Sequence, residues 1–154
     1  MNTALQVGGE AETLEDLVYS YYRTVEAQPF DAVAAARFFA EDFRCFPPRE
    51  APPGVTAKAA TVGLLSMLAA GFPDARRHLL VVEALEGQRV LAYFLFEGTH
   101  TGPFFGASPS GNKISFVGVD IFRVEDGRFA ENWHVEDVSS LLAQMKIAPQ
   151  VEAA

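Results

Sequence analysis

Two long apolar-rich runs joined by Asp-Gly constrain this chain more than any other feature in it. Lys113-Ile-Ser-Phe-Val-Gly-Val-Asp-Ile-Phe-Arg-Val124 reads as a strand, and Arg128-Phe-Ala-Glu-Asn-Trp-His-Val135 reads as its antiparallel return. Glu125-Asp126-Gly127 supplies the turn, and Asp-Gly between such runs is a strong short-range hairpin signal. With three loop residues between Val124 and Arg128, Asp120 faces Asn132 and lies diagonal to His134. Side chains alternate faces along a strand, so these three share one face with Phe116, Gly118 and Phe122. The other face carries Val117, Val119, Ile121, Phe129, Trp133 and Val135. A sheet that is apolar on both faces has to bury both. Helices of the same chain cover one; a second copy is expected to cover the other, giving a homodimer through the outer face of the sheet.

The remaining elements follow from periodicity and from the residues that end it. Residues 1–12 read as a flexible tail, 13–146 as one domain and 147–154 as a second tail. Thr13-Leu-Glu-Asp16 has the form of a capping box. Behind it Leu14, Leu17, Val18, Tyr21, Tyr22 and Val25 recur at helical spacing. Asp31 caps a short second helix over Ala32 to Phe39. Phe43 to Phe46 is a brief strand, followed by a loop holding four of the nine prolines: Pro47, Pro48, Pro52 and Pro53. Thr56 to Ala70 is a third helix. Strands over Arg77 to Leu85 and Arg89 to Gly98 follow, then a Gly/Pro/Ser loop over Thr99 to Asn112. After the hairpin, Asp137 caps a last helix over Val138 to Met145. Helices grouped ahead of a meander predict an α+β domain whose curved, mostly antiparallel sheet wraps around three N-terminal helices.

Composition removes several classes of function. Twelve Lys+Arg against 20 Asp+Glu give a formal charge of -8, which suits no phosphate backbone, so no nucleic-acid partner is expected. No apolar run approaches the roughly 20 residues that span a bilayer, so no membrane partner is expected either. The one cysteine, Cys45, excludes an internal disulfide. With no basic-then-apolar leader at the N-terminus, it fits a cytoplasmic protein and a buried structural thiol. No phosphate-binding glycine loop or dinucleotide fingerprint occurs, and the three histidines lack ligand spacing; no cofactor and no metal are expected.

The chemistry-bearing residues gather on the hairpin. A carboxylate, an amide and an imidazole on an apolar face either satisfy one another structurally or form a site. Histidine transfers protons near neutral pH, so His134 is the candidate proton-transfer group. Asp120 either fixes its tautomer or, desolvated, acts as the base. Asn132 has an amide to offer a substrate carbonyl. His100, at a strand-to-loop junction, either ties that loop down or contacts substrate. Phe104 and Phe105 either pack the loop or close over a pocket mouth. Phe116 and Phe46 complete the expected substrate-contacting set.

Five segments in order resemble a known family: Gly71-Phe-Pro-Asp74, Gly98-Thr-His-Thr-Gly-Pro-Phe104, Gly106-Ala-Ser-Pro-Ser-Gly111, Gly118-Val-Asp-Ile-Phe122 and Glu131-Asn-Trp-His134. Together they are similar to the SnoaL-like polyketide cyclases, of the cone-shaped superfamily typified by nuclear transport factor two. The resemblance implies a curved sheet and helices enclosing a deep apolar pocket, in a dimer that takes a small hydrophobic ligand. It also implies cofactor-free acid/base chemistry on a carbonyl compound, by aldol ring closure of a polyketide ester. Isomerase, hydrolase and purely ligand-binding roles occur on the same fold. His134 stands directly after Trp133, where the family's cyclases often carry their acid/base aspartate. Cys45-Phe46-Pro47 stands where relatives often have His or Asn.

Overall fold

A computed structural model of the protein describes residues 5–7 and 10–146. Two short strands, β1 (Leu5–Val7) and β2 (Glu10–Glu12), pair antiparallel within the stretch read from sequence as a tail. The expected tail over 147–154 lies outside the described residues.

The first two helices begin where the sequence places their caps, and the third begins one residue later than expected. Helix α1 (Leu14–Val25) starts at Thr13, whose hydroxyl accepts from the Asp16 amide at 3.1 Å while the Asp16 carboxylate accepts from the Thr13 amide at 3.2 Å. Its buried residues are those of the apolar stripe, Leu14, Leu17, Val18, Tyr21, Tyr22 and Val25. Asp31 caps α2 (Ala32–Ala36) by accepting from the Val33 and Ala34 amides. Thr56 caps α3 (Ala57–Gly71) through the Ala59 amide. Each such cap stabilises its helix by about 1 kcal/mol.

Five strands form the main sheet: β3 (Phe39–Phe46), β4 (Arg76–Leu85), β5 (Arg89–Thr99), β6 (Lys113–Glu125) and β7 (Arg128–Glu136). Their order is β3-β7-β6-β5-β4, antiparallel except for β3 beside β7, and the sheet is curved and open. Its inner face is lined by Val90, Phe94, Phe96, Phe116, Phe122 and Phe129, all buried beneath the helices. Helix α1 packs against β4 and β5, and α3 packs against β3. Cys45 is buried in this core. A last helix, α4 (Val138–Gln144), starts at Asp137 and closes the edge of β6. There the Gln144 amide group bonds both the N–H and the C=O of Ser115.

The hairpin departs from the sequence reading in register. Its loop has two residues, Asp126 and Gly127, with φ of 50° and 73°, and Glu125 pairs Arg128. Positive φ at both positions matches strand twist, and Asp-Gly is suited to it. One residue further in, β7 bulges: Val124 pairs Phe129 but Arg123 pairs Glu131, leaving Ala130 as the extra residue. Asp120 therefore faces His134 directly, and Asn132 faces Phe122. The bulge also turns Phe129 inward, where it is fully buried, correcting its place on the outer face.

A candidate active site at the β6–β7 centre

Asp120 is the hub of the site. Only 4% exposed, it lies mid-strand on β6 with its side chain under α1. Its Oδ1 accepts from Nδ1 of His134 at 2.6 Å and from the Asn132 amide at 3.0 Å; Oδ2 accepts from the Tyr22 hydroxyl. Three donors on one buried carboxylate are what an ion in low dielectric requires. The other ring nitrogen of His134 lies 3.3 Å from Glu136 Oε2, two residues along the same strand.

These contacts set the protonation states. Burial by itself pushes the Asp120 carboxyl up. The His134 charge and the bonds from His134, Tyr22 and Asn132 outweigh it, holding the carboxyl below its ordinary value. Burial pulls His134 down, but the facing Asp120 and Glu136 carboxylates push it up to about 10. The imidazole is thus an imidazolium at neutral pH, an acid rather than a base. Burial, reinforced by Asp120, lifts the Tyr22 hydroxyl well above its usual range, so it remains a donor.

Asp120, Asn132, His134 and Glu136 open on a chamber of about 40 Å³, closed by Tyr21, Tyr22, Leu65, Arg49 and Arg77. That volume holds a water molecule or a methyl-sized group, whereas sites for ring-sized ligands run to about 300 Å³ or more. The pocket expected from the resemblance is therefore small, and its lining is mixed: the polar row faces Tyr21, Phe39, Phe43, Leu64, Leu65 and Leu68. Larger apolar space lies outside it. A bowl of about 430 Å³ is formed by Pro52, Val55, Leu64, Met67 and Phe105, and it shares Arg49 and Leu64 with the chamber.

The other candidates are dispersed. Phe105 lines the outer bowl. Phe104 is buried against Gly71 and Phe72. His100 is fully buried; its Nδ1 accepts from the Ser110 amide at 3.2 Å, and its backbone carbonyl accepts from Gly111. It ties the 99–112 loop down and does not reach the chamber. Phe116 stacks on Phe96 in the core, and Phe46 stacks on Trp133. Neither lines the chamber, because the first is capped by its neighbour and the second sits with the outward-facing Trp133. Glu136, Tyr22, Arg49 and Arg77 are the residues the sequence reading misses. Glu136 had a signal: it continues the period-two row of Asn132 and His134. Among the described residues no group of three acidic, His or Cys side chains is arranged to hold a metal ion, and no helix is long and apolar enough to cross a membrane.

The sequence matches the family model of the SnoaL-like polyketide cyclases over residues 16–145. The chain belongs to that family. Several solved structures share its architecture. IdmH from Streptomyces antibioticus, described as a candidate polyketide cyclase, superposes with a TM-score of 0.70 at 25% identity, covering 87% of this chain and 99% of that one. AclR from Streptomyces galilaeus, described as a candidate hydroxylase, gives 0.68 at 25% identity over 88% of this chain and 80% of that one. A SnoaL-like protein from Jannaschia sp. CCS1 gives 0.72 at 20% identity, over 94% and 99%, and shows the shared fold. No protein of curated function matches this chain in sequence. Within a SnoaL-like frame, the residue after Trp133 is an imidazole set between two carboxylates.

Proposed function

We propose that this SnoaL-like protein is a cofactor-independent acid/base enzyme acting on a hydrophobic, enolisable carbonyl compound, of which aldol ring closure is the leading case. The observation that carries the reading is His134, whose two ring nitrogens face Asp120 at 2.6 Å and Glu136 at 3.3 Å inside one chamber. Asp120 is spoken for by three donors and serves as the anchor that keeps the imidazolium charged. Nε2–H, whose contact with Glu136 at 3.3 Å is longer than the 2.6 Å bond at Nδ1, is the donor left to reach a substrate oxygen. Glu136 is the carboxylate with an uncommitted oxygen, and so the base.

The proton inventory closes. Glu136 takes a proton from the carbon beside a carbonyl, and Nε2 of His134 protonates the oxyanion that forms, directly or after ring closure. The protonated Glu136 then returns its proton to Nε2 across their contact. Nothing else is consumed.

Hydrogen–deuterium exchange at the α-carbon of a panel of enolisable ketones and keto esters, followed by proton NMR, tests this. Glu136→Gln is expected to slow exchange by about 10²–10⁴-fold, the usual yield of general-base catalysis. His134→Ala is expected to cost about 10²–10³-fold through lost oxyanion stabilisation. Equal rates in wild type and His134→Ala remove His134 from the chemistry. Exchange without ring closure points to isomerase-type activity. Binding of the panel with no exchange in wild type points to a ligand carrier.

A further inference from the structure

We infer that Arg49 is an anchor for a carboxylate, and that the molecules this site takes are apolar carboxylic acids rather than neutral esters. The inference rests on the reading above for its reaction but not for its binding. Arg49 stands where the outer bowl meets the inner chamber and lines both. Among the described residues its one hydrogen bond runs from Nε to Thr61 Oγ1 at 3.3 Å, and no carboxylate lies within ion-pairing distance of it. Arg77, the chamber's other guanidinium, is already committed. It pairs with Glu26 at 3.5 Å and lies over the rings of Tyr22, Phe94 and Phe96. The uncommitted fork of Arg49 is thus the group built to take a carboxylate bidentately.

Charge fixes where that carboxylate stops. Of the charged side chains lining the bowl, Arg49 attracts an anion and Glu50 repels one, so an anion in the bowl is held at Arg49. Deeper in, Asp120 and Glu136 outnumber His134 once Arg77 and Glu26 cancel, so an anion is not drawn past the neck. The apolar body then lies against Val55, Leu64, Met67 and Phe105, in a volume suited to a small ring system. A second unmet group agrees: the Asn132 carbonyl oxygen is buried in that chamber without a partner and calls for a donor, such as an enol hydroxyl.

The test compares 2-naphthoate with its neutral isostere 2-naphthamide by isothermal titration calorimetry on the full chain. Wild type is expected to bind the acid about tenfold to a hundredfold more tightly than the amide, the span of a charge-assisted bond. Arg49→Gln is expected to lower acid affinity to that of the amide and to leave amide affinity unchanged. If Arg49→Gln does not fold, salt decides with wild type alone: rising ionic strength is expected to weaken the acid and spare the amide. Equal binding of acid and amide overturns the inference. So does a preference for the acid that survives in Arg49→Gln, a salt-independent affinity, or no binding of the acid at millimolar concentration. Because binding is read without turnover, an inactive protein that prefers the acid sinks only the catalytic reading, and an active one that ignores charge sinks only this one.

Discussion

His134 contributes stability through its charge, and the sign of that contribution is testable. Its pKa rises from 6.5 to about 10 on folding, so the folded state holds the proton more tightly than the unfolded chain. The contribution is therefore complete below the unfolded pKa and is lost as pH climbs through about 10. Wild type is expected to lose on the order of a few kcal/mol between those limits. His134→Gln, with nothing to titrate there, is expected to stay flat. Urea midpoints across the interval check it, and a wild-type midpoint that does not move refutes the imidazolium. Gly118 makes a separate claim on the same strand. It pairs directly with Phe94, and a Cβ built on it would lie 2.4 Å from the Phe94 ring, which is 1% exposed and has nowhere to retreat. Gly118→Ala is expected to cost about 1–3 kcal/mol in the same assay, as overpacking does; a neutral result would show that the ring yields.

Helix α1 and the β6–β7 hairpin meet at one polar contact, the Tyr22 hydroxyl on Asp120. Tyr22→Phe removes a donor and leaves a buried charged oxygen unpaired, so it is expected to cost about 2–3 kcal/mol, the worth of a charged hydrogen bond. It is also expected to raise the pH at which acid unfolds the protein, because Asp120 owes part of its lowered pKa to that bond. An unchanged acid midpoint would show the hydroxyl to be incidental. Much of this level was legible in the chain because its signals are local. Thr13, Asp31 and Asp137 each cap the helix they announce, and period-two alternation put Asp120, Asn132 and His134 on one face. The register was not legible, because the bulge at Ala130 is settled by where Phe129 finds room in the core rather than by any neighbour in sequence. Tyr22 and Arg49 escaped notice for a related reason: they reach the site from elements far along the chain. The chamber's small volume depends on side chains of α1, α3 and the proline-rich loop packing together, which no spacing rule reports.

At the scale of the whole molecule, the described residues leave one side of the sheet uncovered. Val117, Val119, Ile121, Trp133 and Val135 form the outer surface of β6 and β7, with Val135 71% exposed. Leu80 and Val81 of β4 extend the apolar surface to the far edge, and both are exposed. A chain carrying a formal charge of -8 needs no such surface for solubility, and leaving it in water costs roughly 25 cal/mol for each Å² that a partner could bury. The proposed partner is a second copy, related by a two-fold axis so that the same strands meet. The chamber lies on the opposite, helix-covered side, so assembly leaves both sites open. Light scattering coupled to size exclusion is expected to give twice the 16.7 kDa chain mass. Val119→Glu places a charge at the middle of the outer face and is expected to give monomers that retain the wild-type circular dichroism spectrum. A wild-type monomer at micromolar concentration would overturn the dimer, and the outer face would then need a different partner. A Val119→Glu protein that remains dimeric would move the interface elsewhere, leaving the two-sided apolar hairpin without its explanation.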